Sequence, residues 1–163
     1  MNRRNHVAIV LVTFAFNFGL DRITKYLAER FLRGTDGIRL LFDAVVIRYV
    51  ENSGAFLSLG AQWPKGIKYA VLLFIPILLC LYGLYHCLVK ETDARRIAFL
   101  VCVIAGGLGN LVDRLFNDFR VVDFLNFGIG SIRTGILNVA DLSIVFGAIG
   151  LILYENVRRR LAS

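Results

Sequence analysis

Charge is scarce in this chain of 163 residues: 19% are Asp, Glu, Lys or Arg, while 57% are hydrophobic and mean hydropathy is +0.66. That balance excludes a water-soluble globule and leaves no room for a large soluble catalytic domain. Histidine is scarcer still. His6 and His86 are the two present; both sit at one end of apolar runs, and no H-E-x-x-H string occurs, so neither a histidine-based triad nor a zinc-peptidase helix is available. The three cysteines, Cys80, Cys87 and Cys102, lack C-x-x-C or C-x-x-H spacing, which removes a structural zinc site and a redox motif. Cys80 and Cys87 are seven apart on one helical run, too far to bridge, and all three are expected as small buried apolar side chains. No metal or other cofactor is expected. Internal repeats and low-complexity stretches are absent.

Nineteen basic against twelve acidic residues give a formal charge of +7. In a soluble chain this would suggest nucleic acid. Here the basic residues gather beside apolar runs and read as topology anchors and lipid-headgroup contacts, so membrane lipids, not nucleic acid, are the expected surroundings.

A bilayer-spanning helix takes about 20 residues, and four runs meet that length, giving spans over 7–26, 69–89, 97–115 and 136–155. The first could pass for a secretory signal. However, no small-x-small cleavage site closes it, and Asp21, Arg22 and Lys25 continue its helical pattern, so a retained helix is expected. Arg3 and Arg4, then Lys90, Arg95 and Arg96, then Arg158, Arg159 and Arg160 all fall on one side of four crossings. The positive-inside rule makes that side cytoplasmic, with both termini on it; the first outer loop offsets Arg30, Arg33, Arg39 and Arg48 with Glu29, Asp36, Asp43 and Glu51.

The outer segments carry a second kind of pattern. Val45 to Val50 is rich in β-branched and aromatic residues and bounded by Gly37 and Gly54, which predicts short strands within 37–64. Asn117-Asp118 is a turn signal, followed by the extended-looking Val121 to Phe124 and by Gly128, Gly130 and Gly135. Trp63, Pro64, Lys65 and Lys68 read as an interfacial anchor. The expected fold is therefore an all-α polytopic membrane protein, a single membrane-embedded domain over 1–163, with four transmembrane helices and a small extracytoplasmic β platform.

Carboxylates converge at one depth. At the helical rise, Asp21 lies roughly 21 Å along span 1, Asp113 roughly 24 Å along span 3, and Asp141 roughly 20 Å above the inner end of span 4. Burying an ionisable group in hydrocarbon costs at least about 2.5 to 3.5 kcal/mol, so each should face the bundle interior and have a partner. Lys25 follows Asp21 at i+4, and Arg114 adjoins Asp113; these cations make an architectural reading of Asp21 and Asp113 the favoured one. Gly106, Asn110 and Asp113 form a polar stripe, Gly106, Gly107 and Gly109 a small-residue surface, and Asn138 and Asp141 share a face of span 4. Asp123, on the loop returning to span 4, and Asp141 have no neighbouring cation. Two such carboxylates sharing a proton is the functional reading.

Asp21-Arg22-Ile23-Thr24-Lys25, Asn52-Ser53-Gly54-Ala55-Phe56, Gly106 through Asn110 to Asp113-Arg114, Val121-Val122-Asp123-Phe124 and Asn138-Val139-Ala140-Asp141 resemble, in order, the motif set of the lipoprotein signal peptidase (signal peptidase II) family. The resemblance covers most of the chain. It implies a bacterial inner-membrane aspartic endopeptidase acting on diacylglyceryl-modified prolipoproteins just before the lipidated cysteine, working as a monomer, with its active site near the outer leaflet. It further implies a catalytic dyad of Asp123 and Asp141. Asp113 would support them, Asn52, Gly54, Asn110, Arg114 and Asn138 would line the substrate site, and Asp21 and Lys25 would support the fold. Leu137 departs from the pattern, where an aromatic residue commonly precedes the asparagine, a change that touches packing more than chemistry.

Such a dyad would polarise a water between its carboxyls, one acting as base and the other as proton donor. Asn52 is expected to hydrogen-bond the extended substrate backbone from the 37–64 platform. Presenilin-type aspartic proteases use a G-x-G-D string, and here Gly107-Leu108-Gly109 is followed by Asn110. A proton-coupled transporter would spread its carboxylates across the membrane and show inverted halves, whereas these cluster at one level. A noncatalytic scaffold would tolerate the loss of both Asp123 and Asp141.

Overall fold

The computed structural model describes residues 3–55 and 59–162. Phe56, part of the second motif and of the expected platform segment, lies outside the described residues. Four helical runs are long and apolar enough to cross a membrane: span 1, Arg3–Leu32; span 2, Lys65–Lys90; span 3, Ala94–Phe116; and span 4, Val139–Leu161. The expected count holds. Their ends extend beyond the apolar runs because charged and polar residues such as Glu29, Arg30 and Lys65 continue the helices outside the hydrocarbon.

The sequence expectation departs from the structure at the start of span 4. Ile136 and Leu137 are apolar and read as membrane helix, yet they end a β-strand, and the helix begins at Val139. Asn138 is the reason. Its Oδ1 accepts the Asp141 N–H at 2.9 Å while Asp141 Oδ2 accepts the Asn138 N–H at 3.1 Å. This reciprocal capping box fixes the first helical turn and leaves residue 138 outside it.

Span 2 is not a uniform helix. Wide turns with i→i+5 bonding occupy Ala70–Phe74 and His86–Lys90. The first runs directly into Pro76, whose ring and missing N–H cannot be fitted into an unbroken α-helical ladder.

The chain is not all-α. Strands β1 (Ile38–Leu40), β2 (Val45–Asn52), β3 (Val121–Ile129) and β4 (Ile132–Leu137) form one antiparallel sheet in the order β1-β2-β3-β4. The β element placed within 37–64 is thus half of a sheet whose other half lies between spans 3 and 4. A central ladder pairs Val45 with Phe127 and Asn52 with Val121, and a register shift between Ile47 and Val50 breaks it. The shift adds a residue to β2 and bends the sheet at the point where Val50 faces Asp123.

The sheet docks on the end of the bundle away from the chain termini. Ala28 and Leu32 of span 1 are buried with Val122 and Phe124 of β3, with Ile47 and Tyr49 of β2 packed against them. Beneath the sheet, Leu72, Leu73, Leu111 and Phe119 form a second core between spans 2 and 3. Phe119 comes from the turn that Asn117-Asp118 announces, and its ring lies 4.5 Å from that of Tyr69. A third core at the opposite end joins Val10, Cys87, Ile97, Val101 and Ile104.

Close approach of spans 3 and 4 depends on glycine. A Cβ at Gly106 would strike the Ala140 carbonyl, and one at Gly147 would lie 2.5 Å from the Phe99 carbonyl oxygen. The small-residue surface expected at Gly106 to Gly109 is the surface used.

Candidate active site

Two polar assemblies meet where span 4 begins. The first is a buried ion cluster. Asp21 is 0% exposed and Lys25 3%. Lys25 Nζ lies 3.1 Å from Asp21 Oδ2 and 2.8 Å from Asp113 Oδ2, and Arg22 bridges the same two carboxylates at 2.8 and 2.6 Å. Two acids and two bases leave this cluster electrically neutral, which is how buried charge is tolerated. Asp21 Oδ1 also accepts the Ala140 N–H at 3.0 Å, satisfying a first-turn donor of span 4. Gly109 is required here, because a Cβ would fall 2.6 Å from Asp21 Oδ2.

One expected pairing is corrected. Arg114 adjoins Asp113 in sequence but does not pair with it; adjacent helix residues point about 100° apart. Asp113 takes Arg22 and Lys25 instead, and its Oδ2 also accepts the Val122 N–H at 3.3 Å. Arg114 donates to the carbonyls of Gly54, at 2.9 Å, and Asn110, at 3.3 Å, while its buried Nε has no acceptor among the described residues. Arg22 was not singled out as a site residue. Its place beside Asp21 was the available signal, hidden because only Lys25 has the i+4 spacing.

The second assembly brings Asp123 and Asp141 together through asparagines. Asn138, fully buried, donates from one amide nitrogen to Asp123 Oδ1 at 2.7 Å and to Asn110 Oδ1 at 3.0 Å, and its backbone N–H goes to Asp141. Asn110 in turn donates to Asp141 Oδ1 at 2.9 Å and accepts from Lys25 Nζ at 2.9 Å. The ion cluster and the carboxylate pair are therefore one continuous network. Neither Asp123 nor Asp141 forms an ion pair among the described residues, as their lack of a neighbouring cation in the sequence suggests.

Asn52, expected at the substrate site, lies beside Asp123. Its amide nitrogen donates to Asp123 Oδ2 at 2.9 Å and to the Ala55 carbonyl at 3.1 Å, and its Oδ1 accepts from Gly54 N–H at 2.9 Å. Both amide hydrogens are committed, and one of them holds Asp123.

Asp123 is only 3% exposed. Burial lifts its pKa from 3.8 to about 6, with the charge of Asp141 pushing the same way and the Asn52 and Asn138 hydrogen bonds opposing. The pair faces a cavity of about 330 Å3 that also takes in Arg114, Pro76 of span 2 and Leu137. Polar groups occupy one wall; Leu72, Leu111, Ile136 and Ile144 make the rest apolar. Such a site can hold water between two acids beside an apolar slot. His6 and His86 lie at the other end of the bundle, where the His6 ring meets the Cys87 carbonyl. Among the described residues no cluster of His, Cys, Asp or Glu has metal-binding geometry.

A family model described as signal peptidase (SPase) II matches residues 13–157. The lipoprotein signal peptidase of Treponema denticola is 36% identical over 157 residues, 93% of this chain and 90% of that protein. That of Borrelia duttonii is 34% identical over 157 residues, 93% of this chain and 92% of its own length. A solved structure described as a bacterial membrane enzyme, determined in meso at 1.9 Å, shares the fold with a TM-score of 0.72 at 24% identity, over 92% of this chain and 91% of that one. With a matching family model across most of its length, and relatives at this identity, the chain belongs to the signal peptidase II family of membrane proteases.

Proposed function

We propose that this protein removes the signal peptide from diacylglyceryl-modified bacterial prolipoproteins, cutting just before the lipidated cysteine, with Asp123 and Asp141 as its catalytic pair. The observation that carries the reading is Asn138. One residue caps span 4 through Asp141 and grips Asp123 through its side chain, so a carboxylate from a strand and one from a helix face one cavity from a common support.

The chemistry follows from their shared environment. Two buried carboxyls cannot both ionise cheaply, so the pair keeps one proton, and the remaining charge is matched by Arg114 across the cavity. One carboxylate takes a proton from a water as its oxygen attacks the scissile carbonyl carbon. The protonated partner donates to the carbonyl oxygen as it becomes an oxyanion. Collapse of the tetrahedral gem-diol breaks the C–N bond: one of its hydroxyls returns a proton to the partner carboxylate as the carbonyl re-forms, and the leaving nitrogen takes up the proton that the base collected. Arg114 Nε, buried without an acceptor among the described residues, supports a substrate carbonyl as its partner.

The substrate's apolar segment and acyl chains would stay in lipid while the scissile stretch enters between the sheet and spans 2 to 4. By the positive-inside rule the basic residues at the terminus-bearing end support a cytoplasmic location for that end, with the sheet and the cavity at the outer leaflet. Purified protein in detergent, given a diacylglyceryl-modified prolipoprotein, should release the signal peptide and leave the lipidated cysteine at the new amino terminus, as read by mass spectrometry. No cleavage, or cleavage at another bond, would contradict the reading.

A further inference from the structure

A second hollow lies far from the carboxylates. Along the seam of spans 3 and 4 runs an apolar groove of about 950 Å3, shaped by Phe99 of span 3 and by Phe146, Ile149 and Leu153 of span 4. Gly150 opens it: the Phe99 ring sits where a side chain would stand, with its Cζ 2.9 Å from the place of a Cβ. At the terminus-bearing end Arg95, Tyr154 and Arg158 close the groove.

The arginines there carry charge that is only partly engaged, with Arg158 acting at a distance on Asp93. Neither Arg95 nor Arg158 forms an ion pair among the described residues. The acids nearby are already taken. Asp93 accepts the Tyr154 hydroxyl at 2.6 Å and caps span 3 through the Arg95 and Arg96 N–H groups, and Glu91 and Glu155 pair with Arg96 at 3.2 and 3.0 Å. The Arg95 guanidinium lies 5.8 Å over the Tyr154 ring, which fixes it at the mouth of the groove. The lining runs on to Leu142, so the groove follows span 4 for about 24 Å from Arg158, past the middle of a hydrocarbon core about 30 Å thick.

We propose that this groove is a binding site for one anionic phospholipid of the leaflet at the terminus-bearing end. Its phosphate lies between Arg95 and Arg158, and its acyl chains lie against Phe99, Phe146, Ile149 and Leu153. Two cations without ion pairs among the described residues, at the mouth of an apolar channel, match that ligand in charge and in apolar surface. A signal helix, with its basic residues ahead of the apolar run, would bring like charge to the two arginines.

The test is lipid binding to delipidated protein in neutral detergent, read by native mass spectrometry. Phosphatidylglycerol should bind roughly tenfold or more tightly than phosphatidylcholine of the same chains, since each arginine near the surface contributes to anionic-lipid attraction. The double substitution Arg95→Gln/Arg158→Gln should abolish the preference, and Arg95→Lys/Arg158→Lys should keep most of it, with unchanged thermal midpoints in both. Val157→Trp, which fills the groove, should weaken both lipids, and glycerol phosphate without chains should not compete. Equal affinity for the two lipids would overturn the proposal. So would a preference that survives loss of both charges, displacement of the lipid by a signal peptide, or a dimer formed through this face.

Discussion

At the residue scale the site turns on Asn138, which does two separable jobs. Asn138→Ala should cost about 2 to 4 kcal/mol, from a lost helix cap and from buried acceptors left without their donor. Asn138→Ser should restore the cap, and with it about 1 kcal/mol, but not the bond to Asp123. Thermal denaturation in detergent, set beside cleavage rates, separates the two: stability should recover in the serine variant while activity stays low. If both recover together, the grip on Asp123 is not what matters.

Asp123 also gives a pH signature. Its carboxyl is raised from 3.8 to about 6 by burial and by Asp141, so the folded state holds this proton more tightly than the unfolded chain does. The contribution is fully present below about pH 4, declines between pH 4 and 6, and is gone above 6, a loss of about 3 kcal/mol by linkage. The stability of Asp123→Asn relative to the parent should therefore improve as pH rises through that window. A difference that does not change with pH would show that Asp123 ionises like an exposed carboxyl.

At the element scale, packing of span 3 against spans 1 and 4 rests on hydrogen atoms where other residues would have methyls. Gly109→Ala should push against Asp21 Oδ2 and cost about 1 to 3 kcal/mol, whereas Gly19→Ala, with nothing within 4 Å of the new carbon, should be close to neutral. Asp21→Ala is expected to be worse, at about 3 to 5 kcal/mol, because Lys25 and Arg22 would be left facing one buried carboxylate instead of two. The exposed pair of Arg33 with Glu29 should matter by less than about 1 kcal/mol. Thermal midpoints ordered in this way would bear out the ion cluster as architecture.

The elements also show where a single sequence is readable. Unbroken apolar runs announce the four spans because hydrocarbon admits little else. The beginning of span 4 was hidden because Ile136 and Leu137 suit a buried strand end as well as a membrane helix. The Asn-x-x-Asp cap three residues apart was the better marker. Strand β2 announced itself by β-branched residues, but its partner β3 lies about seventy residues away, and no local pattern specifies that pairing. Asp123 and Asp141 could be picked out as carboxylates without cations. That Arg22, and not Arg114, neutralises Asp113 is a fact about helices meeting in space.

At the scale of the whole molecule, charge distribution and sheet position combine into one orientation. The terminus-bearing end collects Arg3, Arg4, Lys90, Arg95, Arg96 and Arg158 to Arg160, and the sheet caps the other end. A membrane-impermeant thiol reagent added to intact cells should label Asp36→Cys, beside β1, and should reach Leu161→Cys only after the membrane is opened. Labelling in the reverse order would place the carboxylate pair at the cytoplasmic face and remove the proposed route for a translocated substrate.

The central claim is that Asp123 and Asp141 together activate water, and it is met most directly by the cleavage rate of a diacylglyceryl-modified prolipoprotein under single-turnover conditions. Asp123→Asn and Asp141→Asn, each shown to be folded by its thermal transition, should each lower that rate by about 10² to 10⁴. The double variant should be no slower than the worse single, since the pair acts as a unit. A folded single variant that cleaves at the parental rate would contradict it.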